Sequence, residues 1–497
     1  MENNEGVCYM STTTASAGLP KPFWVIWAIE IWERFGYYGT QALLALYFVK
    51  HLGFSESESM YVFGSFFAFV FGFVWVGGQI GDKVLGAKRT IVLGAIILMI
   101  AYISLFFASP DTIFYSLGGV IVGNALFKAN PSSLVSKLYK KGDPALDGAM
   151  TMYYMAINIG SFVALFFAPI IGAVFGFKYA FLMSGIGLVI GLLNFFIFYK
   201  VLDSISTEAG RETLRISKLI TVVIGAIISV FIIGSILPYT AICYTIVGIV
   251  AFYGFARFLK IAFSLHGSDR KRMLVAFILL LQGIIFFVLY NQMPTSLTFL
   301  AQNNINGTIF GWAIPAAQYQ ILNPLFILLM SPFLAWAYKR APGSHVTKFC
   351  FGMTLCALAF LILWLPQFFA SDGFISPLWM VATYWFQSTG ELLISGLGVA
   401  MVAELCPKGI SGFVMGVWFI TSMVAGPISA WVGSMTAPAK NVTYTAIESI
   451  HVYGKVFGTI GLIVAIIAAL MWFARPYLVR LIEHKELPSH QAEPVTA

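Results

Sequence analysis

Long apolar segments recur along the chain, and short polar segments separate them. A helix needs about 20 predominantly apolar residues to cross a lipid bilayer. Six such segments come first, a charged stretch and two plainer segments follow, and six more complete the chain. The segments lie at 22–50, 58–81, 90–108, 112–137, 147–175, 178–201, 218–237, 239–262, 272–301, 312–338, 346–368, 375–405, 411–435 and 453–480. This pattern predicts an all-α integral membrane protein with 14 transmembrane helices in a 6+2+6 order.

The basic residues are distributed unevenly between the two sides that these spans define. Of the 29 Lys and Arg residues, nearly all fall in connections on the same side as the N-terminus. The exceptions are four lysines on the opposite side and two residues inside spans, namely Lys50, Lys178, Lys440, Lys455, Arg34 and Lys128. Cytoplasmic connections of membrane proteins carry an excess of Lys and Arg. We therefore expect a multi-pass protein of the cell inner (plasma) membrane with both termini in the cytoplasm.

The same pattern divides the chain into five segments. These are a cytoplasmic N-terminal tail at 1–21, a six-helix bundle at 22–201, a connection with two inserted transmembrane helices at 202–271, a second six-helix bundle at 272–480 and a cytoplasmic tail at 481–497. Two six-helix halves joined through the cytoplasm match the major facilitator fold. In that fold the substrate site lies near the middle of the bilayer, between the halves.

The composition indicates a lipid environment and excludes several function classes. Hydrophobic residues make up 59% of the chain and charged residues only 10%, whereas soluble proteins contain about 25% charged residues. The net charge of +8 comes from short basic clusters beside the spans, so we expect no nucleic-acid partner. The five cysteines have neither paired spacing nor a companion His at metal-ligand spacing, and no nucleotide-binding loop is present. We expect no enzyme activity, no metal and no cofactor.

A few ionisable residues fall inside the predicted spans, where each charge costs roughly 2.5–3.5 kcal/mol at the bilayer centre. They are Glu30, Glu33, Arg34, Lys128 and Glu391. On the first helix the three charges share one face with Tyr37 and Gln41, because their spacing follows the helical repeat. An ion pair that only holds helices together is the alternative explanation. The spread over three helices and both halves favours a site that faces substrate or water.

Other polar residues share helix faces with these charges. Asn124 and Asn130 accompany Lys128, Tyr154 and Asn158 are one turn apart on helix five, and Glu391 has Ser388 and Ser395 on its face. For the uncharged residues, hydrogen bonding between helices is as good an explanation as ligand contact.

The signs of the charges predict what the site binds. Two cations of the first half, Arg34 and Lys128, stand opposite a carboxylate of the second half, Glu391. A zwitterion fits this arrangement, with its carboxylate at the cations and its amine at the anion. The histidines at 51, 266, 345, 451, 484 and 490 all fall in predicted loops or tails. Carboxylates are therefore expected to carry any transported proton.

Three motifs connect these residues to a known family. The stretch Glu30-Ile-Trp-Glu33-Arg34-Phe-Gly-Tyr37-Tyr38-Gly resembles the ExxERFxYY motif of the proton-dependent oligopeptide transporters, the POT or PTR family. A second signature of that family is visible at Tyr153-Tyr154-Met-Ala-Ile-Asn158-Ile-Gly160-Ser161. The segment 77–89 resembles the gating loop of facilitators, with Gly77, Gly78, Asp82, Lys83, Gly86, Lys88 and Arg89. The resemblance covers the whole chain and looks closest to bacterial di- and tripeptide permeases.

The resemblance implies a proton-coupled symporter that imports di- and tripeptides by alternating access, with the monomer as the functional unit. It assigns the peptide carboxylate to Arg34 and Lys128, and the peptide amino end to Asn158, Asn323 and Glu391. The remaining substrate-binding residues are tyrosines for backbone polar groups, tryptophans for side-chain pockets and a serine beside Glu391, namely Tyr37, Tyr38, Tyr154, Tyr290, Trp385, Trp418 and Ser395. Glu30, Glu33 and Arg34 would couple protons to transport.

Two positions depart from the family pattern. Phe71 stands where a tyrosine is common, which removes one hydroxyl from the site. Residues 273–301 contain no carboxylate, although some relatives have one on helix seven, so Arg34 cannot form a salt bridge there. A facilitator of the same fold for another small solute, such as nitrate, an amino acid conjugate or a drug, is the alternative function. A membrane enzyme or a receptor is a third and weaker hypothesis.

Overall fold

The computed structural model describes residues 18–140, 143, 145–305, 308–309, 311–340, 343–407, 410–440 and 442–483. Most of the two predicted tails, at 1–21 and 481–497, lies outside the described residues.

Helices make up almost all of the described structure. In chain order they are α1 Lys21–Lys50, α2 Glu56–Gly72, α3 Val74–Lys83, α4 Ala87–Phe107, α5 Ile113–Lys128, α6 Asn130–Ser136, α7 Ala145–Val174, α8 Phe177–Ile197, α9 Glu208–Arg211, α10 Ile216–Ile236, α11 Thr240–Ser264, α12 Gly267–Tyr290, α13 Ser296–Asn304, α14 Leu322–Arg340, α15 His345–Ile362, α16 Leu378–Leu405, α17 Ser411–Ser434 and α18 Ala446–Glu483. Short 3-10 helices lie at Tyr199–Ser204, Ala316–Ile321 and Leu365–Phe368. Strands β1 Thr308–Ile309 and β2 Trp312–Ala313 form a small antiparallel hairpin, the exception to the predicted all-α fold.

The described residues include 11 helices that are long and apolar enough to cross a membrane. The predicted spans outside this set are nevertheless helical, and they correspond to α1, to α5 with α6, and to α16. Large apolar side chains cover the outside of the molecule, for example Phe107, Phe252 and Phe473, which are exposed by 74%, 78% and 90%. Such a surface is stable in lipid and unstable in water.

Several spans that we predicted as single helices are bent or broken. The span 58–81 divides into α2 and α3 at Phe73, and the span 112–137 divides into α5 and α6 at Ala129. The span 272–301 ends as α12 at Tyr290, and α13 begins only at Ser296. Proline explains two of these interruptions, because Pro131 lies in the first turn of α6 and Pro294 in the turn before α13. Proline lacks the backbone N–H that a continuous helix needs.

Two further predictions were wrong in detail. Residues 312–321, predicted to begin a transmembrane helix, form strand β2 and a 3-10 helix before α14. Two histidines lie in helices rather than in loops. His345 is the first residue of α15, and His451 lies near the start of α18, where it is exposed. His484 and His490 are outside the described residues.

The helices pack into two groups, which are joined mainly by α2 against α17. In the first half, α1 packs on α7 and α8, and α4 packs on α5 and α8. In the second half, α15 packs on α16 and α18, and α12 packs on α17. Small residues allow the closest approaches, since a side chain at Gly77 would overlap the Ala125 carbonyl of α5.

Contacts between the halves lie at the end of the molecule where α2 begins. The largest joins α2 to α17, where Gly64 faces Gly426. Polar contacts at the same end include Asn303 Nδ2 to Glu56 Oε1 at 2.9 Å and Lys440 Nζ to Glu58 Oε1 at 3.2 Å. This end is opposite to the start of α1.

Candidate substrate and proton site

The three charged residues of α1 form a buried ion cluster. Glu30, Glu33 and Arg34 are exposed by 2% or less. The Nε atom of Arg34 pairs with Glu33 and lies 3.4 Å from Glu30 Oε1. One oxygen of each carboxylate has no hydrogen-bond partner among the described residues. Because buried charges are expensive to leave unpaired, a change in the charge of either glutamate must alter how Arg34 is held.

Neighbouring helices complete the surroundings of Arg34. An Nη atom of Arg34 donates to Asn124 Oδ1 at 3.4 Å, and Asn124 Nδ2 donates to the carbonyl oxygen of Val70 at 3.0 Å. The guanidinium lies 5.3 Å from the centre of the Tyr37 ring. Arg34 is thus positioned by α1, by α5 and indirectly by α2.

Lys128 is the second cation of the first half. Its Nζ atom lies 3.9 Å from the centre of the Phe71 ring. A cation over an aromatic face gains about 0.5–2 kcal/mol, depending on its exposure. Lys128 is within electrostatic range of Arg34, Glu33 and Glu30, but among the described residues it forms no ion pair within 4.0 Å. The ammonium therefore keeps its donors available for a ligand carboxylate.

The second half contributes a negative pole on α14 and α16. Asn323 Nδ2 donates to Glu391 Oε2 at 2.7 Å and to Ser388 Oγ at 3.0 Å. Asn323 and Glu391 are each 8% exposed, and Ser388 is fully buried. The structure thus brings together Asn323 and Glu391, two of the three residues that we expected at the peptide amino end, and it adds Ser388 to them.

Tyrosines occupy the space between the positive and negative poles. Tyr38 of α1, Tyr154 of α7 and Tyr290 of α12 all lie within electrostatic range of Glu391. Tyr38 is also within range of Arg34. Tyr38, Tyr290 and Asn323 line one small cavity of about 20 Å³, which is large enough for about one water molecule. The residues of both halves therefore converge on one site.

Other predicted site residues have no described contact with these poles. Asn158 Nδ2 donates to the Tyr154 carbonyl of its own helix at 3.0 Å. Trp385 is 40% exposed and its ring contacts Phe386. Trp418 is buried and packs edge-on against Phe287 at 5.9 Å. Ser395 is half-buried one turn after Glu391. Ligand contact by these residues stays a prediction.

The predicted gating loop spans α3 and the start of α4. Gly86 has a φ of 89°, which favours glycine, and it precedes α4. Lys88 Nζ pairs with Asp203 Oδ1 at 2.7 Å, and Arg89 donates to the Glu212 carbonyl at 3.0 Å. Both contacts fix the loop to the connection that follows α8.

The other members of that loop divide into packed and exposed positions. Gly77 packs against α5, whereas a side chain at Gly78 would meet only Ala129, at 3.4 Å. Asp82 and Lys83 are exposed and form no ion pair among the described residues. Lys88 and Arg89 therefore hold this loop in place, whereas Asp82 makes no ion pair among the described residues.

Sequence reasoning missed two tyrosines beside the ion cluster. Tyr153 of α7 interacts with Glu30. Tyr102 of α4 is fully buried within electrostatic range of Glu33, and its hydroxyl has no partner among the described residues. Tyr153 could have been identified as a site residue from its place in the second motif. Tyr102 lies in a largely apolar stretch of α4, and no spacing connects it to the charges of α1.

Comparison with known proteins places these features in a family. The sequence profile of the POT family matches residues 88–455. The chain is 45% identical over 483 residues to dipeptide and tripeptide permease A of Citrobacter koseri, covering 96% of each protein. It is 46% identical over 467 residues to dipeptide and tripeptide permease A of Escherichia coli, covering 93% of each.

Solved structures give the same result. One solved structure, from work on substrate recognition in proton dependent oligopeptide transporters, matches this fold with a TM-score of 0.81. The two sequences are 33% identical, and the match covers 92% of this chain and 99% of the other. The structure of a bacterial homologue of the human drug peptide transporters PepT1 and PepT2 has a TM-score of 0.81 and 31% sequence identity. That match covers 93% of this chain and 100% of the other. On its sequence, its fold and the residues of its central site, this chain belongs to the POT family.

Proposed function

We propose that this chain is a proton-coupled symporter that imports di- and tripeptides by alternating access. The observation that carries the proposal is the pair of opposed poles. Arg34 and Lys128 form the positive pole in the first half, and Glu391 with Asn323 forms the negative pole in the second half. Relatives of similar length are named dipeptide and tripeptide permeases, which fits a ligand with one charge at each end.

Binding follows from the geometry of these poles. The free ammonium of Lys128 would pair with the peptide carboxylate, together with Arg34 once its glutamates release it. Glu391, already aligned by Asn323 at 2.7 Å, would accept the peptide ammonium. A short peptide neutralises both poles together, whereas a simple anion such as nitrate leaves Glu391 unpaired. Leaving a buried charge unpaired is unfavourable.

Proton coupling follows from the ion cluster of α1. Arg34 is held by Glu33 and Glu30, so protonation of one glutamate weakens that hold and frees the guanidinium for the peptide carboxylate. Proton and peptide would then bind cooperatively, each favouring the other. Release of the proton on the opposite side restores the ion cluster and expels the peptide carboxylate.

The membrane arrangement completes the proposal. We propose 14 transmembrane spans in a 6+2+6 order, with α10 and α11 as the inserted pair. Both termini lie in the cytoplasm, and the protein lies in the cell inner membrane. The contacts between α2 and α17 then close the site on the outer side. We propose the monomer as the transport unit, because both poles come from one chain.

Competition for uptake tests the substrate class. Purified protein in proteoliposomes, without ATP, is given labelled dialanine together with an excess of one unlabelled solute. Di- and tripeptides should abolish the uptake of label, whereas nitrate, a free amino acid and an N-acetylated amino acid should leave it unchanged. Competition by nitrate or by the amino acid conjugate alone would support the alternative facilitator function. A requirement for ATP would contradict secondary transport.

A further inference from the structure

The inserted helix α10 leaves two apolar grooves against the first half. It packs closely on α5, for example where a side chain at Gly118 would come within 2.7 Å of the Val230 carbonyl. On one side of this contact, α3, α5 and α10 enclose a groove of about 480 Å³, which we call the α3 groove. On the other side, α4, α5 and α10 enclose one of about 550 Å³, the α4 groove.

The α3 groove offers almost no polar group to a ligand. Its lining includes Ile80, Val122, Leu126 and Val222, with hydroxyls only at Thr221 and Ser229. Both hydroxyls are already used within α10. Thr221 Oγ1 donates to the Ser217 carbonyl at 3.0 Å, and Ser229 Oγ donates to the Gly225 carbonyl at 2.8 Å. A polar ligand would lose its hydrogen bonds to water there, whereas a hydrocarbon chain loses none.

Basic residues stand at one end of the α3 groove. Lys83 follows the lining residue Ile80 by one helical turn, and Lys218 precedes the lining residue Thr221 by one turn. Lys83 is exposed and forms no ion pair with any described residue. Lys218 Nζ lies 3.6 Å from Glu212 Oε2, but that glutamate is 60% exposed and the contact is weak.

The α4 groove has no comparable charges, although it is equally apolar. One end of this groove lies beside Asp111, since the next residue, Thr112, lines the groove. The segments 107–119 and 226–236, which border that end, contain no Lys or Arg. Both grooves are therefore apolar, but only the α3 groove has basic residues at one end.

We propose that the α3 groove binds an anionic phospholipid, with an acyl chain between α3, α5 and α10 and the phosphate between Lys83 and Lys218. The opening of the groove faces the bilayer, where acyl chains are the available apolar ligands. Each lysine near a membrane surface contributes to the binding of anionic headgroups. This places the lipid in the leaflet on the basic side of the protein, and it does not rest on the identity of the transported solute.

Native mass spectrometry of the full chain in detergent tests the headgroup contact, with phosphatidylglycerol and phosphatidylcholine as probes. The parent should bind phosphatidylglycerol more tightly. Lys83→Gln with Lys218→Gln should weaken that binding by about fivefold per lysine and leave phosphatidylcholine unchanged. The control is Lys260→Gln, at the corresponding exposed end of α11. Equal binding of the two lipids by the parent, or an unchanged affinity in the double variant, would overturn the proposal.

A second pair of variants tests whether the chain occupies the groove. Gly225 lines the α3 groove and has no atom within 4 Å of the point where its Cβ would lie, so Gly225→Phe adds an aromatic ring at the wall of the groove. Gly248 of α11 has the same open space but lines neither groove, which makes Gly248→Phe the matched control. Gly225→Phe should lose the tight phosphatidylglycerol site, and Gly248→Phe should keep it. Retention of that site in Gly225→Phe, or a dimer in the parent that Gly225→Phe abolishes, would contradict lipid occupancy.

Discussion

The substitution Glu391→Gln separates recognition of the peptide amine from recognition of the rest of the peptide. The side chain of Glu391 is 8% exposed and accepts a hydrogen bond from Asn323 at 2.7 Å. Glutamine has nearly the same shape and retains an oxygen that can accept from Asn323. The change therefore removes the charge and leaves the packing of α14 against α16 intact.

The expected loss follows from the type of contact. A hydrogen bond to a charged group contributes about 1.5–3 kcal/mol, and each 1.4 kcal/mol is a factor of ten in affinity. Dialanine should thus bind about 10- to 150-fold more weakly to Glu391→Gln. N-acetyl-dialanine, which lacks the ammonium, should bind weakly to the parent and change little in the variant.

Isothermal titration calorimetry of the purified protein measures both affinities. Glu404→Gln is the matched control, because Glu404 lies on the same helix and contacts His345 at an exposed position away from the site. It should bind both ligands as the parent does. Equal losses for dialanine and its N-acetyl derivative in Glu391→Gln would refute the assignment of the amine to this carboxylate.

Three further predictions concern other parts of the structure. Lys128→Ala should weaken dialanine by about 1.5–3 kcal/mol but affect dialanine amide much less, and equal losses would remove the carboxylate from this lysine. Tyr102→Phe should keep or raise the melting temperature, since the buried hydroxyl has no described partner, and a clear fall would reveal a hydrogen bond. Gly77→Ala should destabilise the protein by about 1–3 kcal/mol, because its methyl group meets the Ala125 carbonyl, whereas Gly78→Ala should leave the melting temperature nearly unchanged.

The order of helices and the charged poles could be predicted because each rests on a strong local signal. Apolar runs of about 20 residues mark spans wherever they occur. A charge such as Glu391 inside such a run has few roles other than function. The one-turn spacing of Glu30 and Arg34 was sufficient to predict that they share a helix face, and in the structure they lie 3.4 Å apart.

Interruptions inside spans and contacts between distant helices could not be predicted in the same way. The division at Phe73 has no proline, and the apolar pattern continues across it. The meeting of Asn323 with Glu391, and of Tyr102 with Glu33, depends on how helices far apart in sequence pack. A single amino-acid sequence contains no direct signal of which distant helices pack together. The same reason explains why the grooves beside α10 became visible only in three dimensions.

Coupling of peptide to protons is the central claim, and Glu33→Gln tests it most directly. Parent and variant are reconstituted in proteoliposomes, and each is measured for peptide counterflow and for dialanine uptake driven by an imposed pH gradient. The parent should perform both reactions. The variant should retain counterflow but lose accumulation, because a permanently neutral side chain can neither hold Arg34 as an ion pair nor release a proton. Accumulation by Glu33→Gln equal to that of the parent, with the same result for Glu30→Gln, would contradict proton coupling through the ion cluster of α1.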